Sequence, residues 1–197
     1  MSCQSKGPAA YFLVTDVGLE VPRLPGWAQE ASTHDKNASG IVLRLVRTQA
    51  VTGSPRIDVV VEPRAAAPTQ IEDFLKRNLR EMSVLERSGS IRIDDLEQRP
   101  VSVGTQRGYR IRHEYVLTSG EAAITQVSTF LVLNGRGVAV TAVGRTELFT
   151  PLAKAVDAVL SGLRFASGQA AGGGNDTPAV LKPIDLGKLG GTKNSSP

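Results

Sequence analysis

Few side chains in this sequence have the types and spacing that bond-making chemistry needs. The chain carries one cysteine, Cys3, and two histidines, His34 and His113. A thiol or hydroxyl becomes a nucleophile only beside a base held in fixed geometry. Cys3 lies in MSCQSKGPAA, a run of small and polar residues with nothing to hold such geometry. His34 sits beside Asp35 in the polar stretch THDKN, with no third ligand near it. His113 adjoins Glu114, but neighbours on a strand point to opposite faces, so the two make no dyad. His113 reads as a packed or edge histidine. A structural zinc takes three or four ligands at compatible spacing, and two histidines with one cysteine fall short. Asp94, Asp95 and Glu97 form a small acidic cluster that lacks the spaced oxygens of a calcium loop. They read as a surface loop. VTGSPR and NGRG carry glycines but neither the lysine nor the following helix of a phosphate loop. These residues point to no catalytic, cofactor-binding or metal-binding set, and the expectation is a protein that is not an enzyme. Trp27, after Pro25 and Gly26, reads as a core or rim anchor; an exposed aromatic there would mark a binding patch.

The elements that would position these residues are legible from periodicity. YFLVTDVGLEVP suggests a first strand or short hairpin, followed by the turn-rich PRLPGW. IVLRLVRT (41–48) alternates apolar and polar residues, as a half-buried strand does, and RIDVVVEP (56–63) pairs with it across the turn VTGSPR. A helix opens at Pro68 or Thr69. Its apolar residues Ile71, Phe74, Leu75, Leu79 and Met82 recur at steps of three and four, with Lys76, Arg77, Arg80 and Glu81 on the other side. Residues 89–103 read as strand material interrupted by Pro100. In TQRGYRIRHEYVLT (105–118), Tyr109, Ile111, His113 and Tyr115 share one face, and Arg110, Arg112 and Glu114 the other. AITQVSTFLVLNG follows as its partner, and Asn134-Gly135 makes a hairpin turn because both residues tolerate positive φ. A second helix has Thr150 as N-cap and Pro151 at its first position, with a stripe of Leu152, Ala155, Val156, Val159, Leu160 and Leu163. Short turns between successive strands predict an α+β fold: a mostly antiparallel sheet of about six strands packed with two amphipathic helices.

Composition sets the frame. Of 197 residues, 41% are hydrophobic and 21% charged, which suits one globular domain with tails. Residues 1–10 read as a flexible leader, 11–165 as the domain, and 166–197 as a disordered tail rich in Gly, Pro and Ser. In that tail only Val180, Leu181, Ile184, Leu186 and Leu189 have any apolar character. The net charge of +4 is spread among acids, as in Glu72, Asp73, Lys76, Arg77, Arg80 and Glu81. That pattern marks a solvated surface and not a nucleic-acid patch. No run of about 18 apolar residues exists to cross a membrane as a helix. A single cysteine precludes an internal disulfide, which fits the cytosol or an envelope domain without bridges.

Three stretches carry a family resemblance. GLEVPRLPGWAQE (18–30) is similar to the opening strand and following Pro-Gly-Trp of DcrB-like proteins. TQRGYRIRHEYVL with AITQVSTFLVLNGRGVAVTAVG is similar to their meander of long strands, and LAKAVDAVLSGLRF (152–165) to their closing helix and Leu-x-Phe strand. Together they cover most of residues 11–165 and resemble the PsbP/DcrB-like fold, shared with the Mog family of Ran-binding proteins. The resemblance implies no single activity and transfers no functional residue. Members are mostly non-enzymatic envelope or accessory proteins, and some DcrB-like members are chaperones for secreted toxins. The tail after 165 is longer and richer in glycine than the fold requires.

The resemblance gives Cys3 a role. DcrB-like proteins often look like bacterial lipoproteins, whose processed N-terminal cysteine carries lipid. Ser2 precedes Cys3, and Gln4, Ser5, Lys6 and Gly7 form a polar tether. The basic and apolar part of an export signal does not lie between Met1 and Cys3. Lipidation therefore implies a start upstream or a chain trimmed near the modified residue; otherwise Cys3 is an exposed thiol. The leading expectation is a non-catalytic lipoprotein of the bacterial cell envelope, on the periplasmic side or the outer membrane, binding a protein partner. The alternative is a cytosolic chaperone or adaptor for a secreted effector, its sheet face and apolar tail segment holding a client helix. No cofactor and no nucleic acid is expected.

Overall fold

The computed structural model describes residues 10–30, 40–63, 67–118, 120 and 122–166. Cys3, His34, Asp35 and the tail segment lie outside the described residues. The chain is α+β. Its strands are β1 (Tyr11–Val14), β2 (Leu19–Pro22), β3 (Trp27–Gln29), β4 (Ile41–Arg47) and β5 (Arg56–Val61). Helix α1 (Ile71–Arg87) follows. Then come β6 (Ile91–Val103), β7 (Gln106–Leu117), β8 (Ala123–Leu133) and β9 (Arg136–Arg145). The chain closes with α2 (Thr146–Phe149), a 3₁₀ turn (Thr150–Leu152), α3 (Ala153–Ser161) and β10 (Arg164–Phe165).

The main sheet has seven antiparallel strands in the order β3-β4-β5-β9-β8-β7-β6, and β1-β2-β10 form a separate three-stranded sheet. The class is as expected; the main sheet has seven strands where about six were expected, and β3 is too short to show a period of two. The long central strands bury both faces. On one, Val127, Leu131, Val138 and Val140 meet Leu19 and Val21 of the small sheet and Val156, Val159 and Leu160 of α3. On the other, Tyr109, Ile111, Phe130 and Ala139 meet Phe74, Leu75 and Leu79 of α1. The result is three layers, with the main sheet in the middle.

Local chemistry corrects three expectations. Pro100 does not interrupt β6: it pairs with Tyr109 in a continuous ladder. β6 is an edge strand, where a missing N–H is tolerated on the outward side. Helix α1 starts at Ile71 with Gln70 as an extended N-cap. The Thr69 hydroxyl instead donates to Glu62 Oε2 at 3.1 Å. The closing helix is not capped by Thr150, whose Oγ1 back-bonds to the Thr146 carbonyl at 3.1 Å. Pro151 has no N–H for an α-helical bond, so the chain passes through a 3₁₀ turn before α3 begins at Ala153. The Asn134-Gly135 turn forms with both φ angles positive, 53° and 73°.

Candidate functional site

The polar residues of the sheet fall on its two faces by strand alternation. On the α1 face, Asp58 is buried and takes a two-pronged ion pair from Arg44, Nε–Oδ1 2.5 Å and Nη2–Oδ2 3.0 Å. Arg56 Nε adds a third contact at 3.2 Å. Hydrogen bonding and charge from Asp58 raise the pKa of Arg44 further. Ser128 lies in the same row, hydrogen-bonded with Thr141 at 3.0 Å and accepting from Gln126 Nε2 at 3.2 Å. His113 shares this face. It is 3% exposed, its Nδ1 has no partner among the described residues, and burial pushes its pKa down to about 4. The amide nitrogen and oxygen of Gln98, opposite Ile111 in the β6–β7 ladder, are likewise buried and unpartnered among the described residues. Asp58 and Ser128 are satisfied within this face, whereas these atoms of His113 and Gln98 are not.

The opposite face opens into a cleft of about 360 Å³ between β6, β7, β8 and the α2–α3 segment. Its polar walls are Glu97, Arg99, Arg110, Arg112 and Asp157, and Val127, Phe149 and Val156 contribute the apolar surface. Strand alternation explains the arginines: Arg110 and Arg112 are two residues apart on β7 and project together. Arg110 is 8% exposed and donates from Nε to Thr129 Oγ1 at 3.2 Å. Its Nη1 stands 3.7 Å from Asp157 Oδ1. Burial lowers its pKa, the nearby charge of Arg99 lowers it further, and Asp157 raises it. Arg112 pairs with Glu114 and stands 3.6 Å from Asp95. Arg99 makes no ion pair among the described residues. The size suits a small molecule, and the lining suits an anion with an apolar part.

The sequence-derived candidates fall elsewhere. Trp27 is 6% exposed in the core, with Arg47 over its ring at 5.9 Å. It is an anchor and presents no surface patch. Asp94 and Asp95 lie within strand β6 at a bulge and not in a loop. Asp94 is held by Arg92 at 2.8 Å, which keeps the Asp94 pKa low. Among the described residues no group of three or more His, Cys, Asp or Glu side chains is placed to hold a metal ion. No helix among them is long and apolar enough to cross a membrane. The arginine cleft was missed because its residues come from separate strands and a helix. The one visible signal was the Arg-x-Arg alternation at 110 and 112, which puts both arginines on one face of β7.

The three-layered arrangement is the PsbP-like fold. The chain is similar to cyanobacterial PsbP (CyanoP) from Synechocystis sp. PCC 6803, with a TM-score of 0.58 and 14% identity over 84% of this chain and 98% of that one. It is also similar to LpqN of Mycobacterium tuberculosis, a protein involved in cell envelope biogenesis, with a TM-score of 0.54 and 12% identity over 79% of this chain and 89% of that one. No known family model and no curated protein sequence matches the chain.

Proposed function

We propose that this protein is a non-catalytic binding module of the bacterial cell envelope, tethered to a membrane through lipid on Cys3. The observation that carries the reading is the fold shared with LpqN, described as acting in cell envelope biogenesis. The polar run Gln4–Gly7 behind Cys3 supports a tether. The cleft supports a binding role, since its lining sets arginines beside apolar side chains. The test is fractionation of cells making the natural precursor, wild type against Cys3→Ala. The wild type sediments with membranes and Cys3→Ala does not; equal distribution of both opposes the reading.

A second reading, a cytosolic adaptor for a secreted effector, is favoured by the outer surface of α1. There Val84 and Leu85 are 50% and 43% exposed, in a groove bordered by Arg77, Arg80 and Glu81. A client recovered with the cytosolic protein, and lost on Val84→Asp, would favour this reading over the first.

A further inference from the structure

Arg99 and Arg110 occupy directly opposed positions on β6 and β7. Like charges placed opposite one another in a ladder are destabilising. Arg110 is in addition almost fully buried, where an uncompensated charge is costly. The compensation on hand is small. Asp157 reaches only Arg110, at 3.7 Å, and its own side chain is 62% exposed. Arg112 is occupied by Glu114 and Asp95. A sheet that keeps such an opposition at the wall of a cavity has a local conflict of the kind that functional sites retain. An anion between the two guanidinium groups would relieve that opposition.

The rest of the lining narrows the class of anion. The arginines stand among carboxylates, Glu97 and Asp157 in the lining and Glu114 and Asp95 on Arg112, a balance that disfavours a polyphosphate. Guanidinium groups bind planar carboxylates through paired N–H donors. Val127, Phe149 and Val156, each under a tenth exposed, line the cleft with their apolar edges beside the charged wall. We infer that the cleft binds a small amphipathic monocarboxylate, its head group between Arg99 and Arg110 and its apolar body against Val127, Phe149 and Val156. This deepens the reading of the domain as a binding module, and it is independent of the lipid tether.

The test uses the purified full chain and octanoate as the probe, followed by NMR shifts and by the melting temperature. Octanol, octylammonium and inorganic phosphate serve as comparisons. Octanoate should bind with a dissociation constant on the order of 1 mM or tighter, as its size allows. It should shift the signals of Arg110, Val127 and Val156, and the other probes should not. Arg99→Gln should weaken binding about tenfold to a hundredfold, the loss expected for a charge-assisted hydrogen bond. Arg99 is exposed, so this variant folds even if Arg110→Gln does not; Arg87→Gln, on α1, should bind as the wild type does. Phosphate binding equal to octanoate, octanol binding equal to octanoate, or unchanged affinity in Arg99→Gln would each overturn the inference. Because the protein used carries no lipid, these outcomes leave the tether to its own test.

Discussion

Arg99 and Arg110 face each other across the β6–β7 ladder, one exposed and the other buried beneath the α2–α3 segment. The opposition separates stability from binding. Arg99→Gln should stabilise the unliganded protein by about 0.5 kcal/mol, the scale of a cross-strand charge pair. Thermal melts at low salt read this as a rise of roughly 2 °C. A lower melting temperature would mean that Arg99 supports the fold, and that its charge is not in conflict with Arg110.

His113 gives the protein an acid-sensitive element. Its folded pKa of about 4 lies below the ordinary 6.5 because burial disfavours the imidazolium. The unfolded chain therefore binds the proton more readily. Its stability contribution is level above pH 6.5, falls as pH drops from 6.5 to about 4, and levels off below that. The full loss is about 3 kcal/mol by linkage. Urea melts across this range should show the slope, and His113→Leu should flatten it. Identical slopes in both proteins would place the acid sensitivity elsewhere.

The closing helix is held by one face. Val156 is 1% exposed against the sheet, and Val156→Asp would bury an unpaired carboxylate there. The penalty, several kcal/mol, rivals the whole stability of a domain of this size. Leu152, half-buried in the 3₁₀ turn, should tolerate Asp better. Circular dichroism melts distinguish them. A cooperative Val156→Asp transition near the wild-type midpoint would contradict the packing of α3.

Gly108 is required by close approach. A Cβ added there would lie 2.1 Å from the Phe130 carbonyl oxygen on the neighbouring strand. Gly108→Ala should force β7 and β8 apart, at about 3 kcal/mol, the upper part of the range for overpacking. Denaturant titration measures this directly, and a neutral effect would mean that the strands separate freely at this point.

What the sequence made legible followed from length and period. The long strands β7, β8 and β9 and helix α1 have enough residues to display alternation or a helical stripe, and the Asn134-Gly135 turn is set by its own residues. The breaks in the closing helix were hidden because Pro151 fits a first helical position as well as a 3₁₀ turn; the choice depends on Phe149 and Val156 both reaching the core. Pro100 was misread because edge position is a property of the assembled sheet. The arginine cleft was invisible for the same reason: Arg99, Arg110 and Asp157 are brought together by pairing and packing, and no local motif joins them.

The most direct measurement is the intact mass of the protein isolated from its native cell, with mapping of the N-terminal peptide. The proposed function predicts a chain that begins at Cys3, with Met1 and Ser2 removed and a diacylglyceryl group on the sulfur, with or without an acyl group on the amine. A free thiol at Cys3 behind an intact Met1 would contradict the envelope tether, and the cytosolic adaptor reading would take its place.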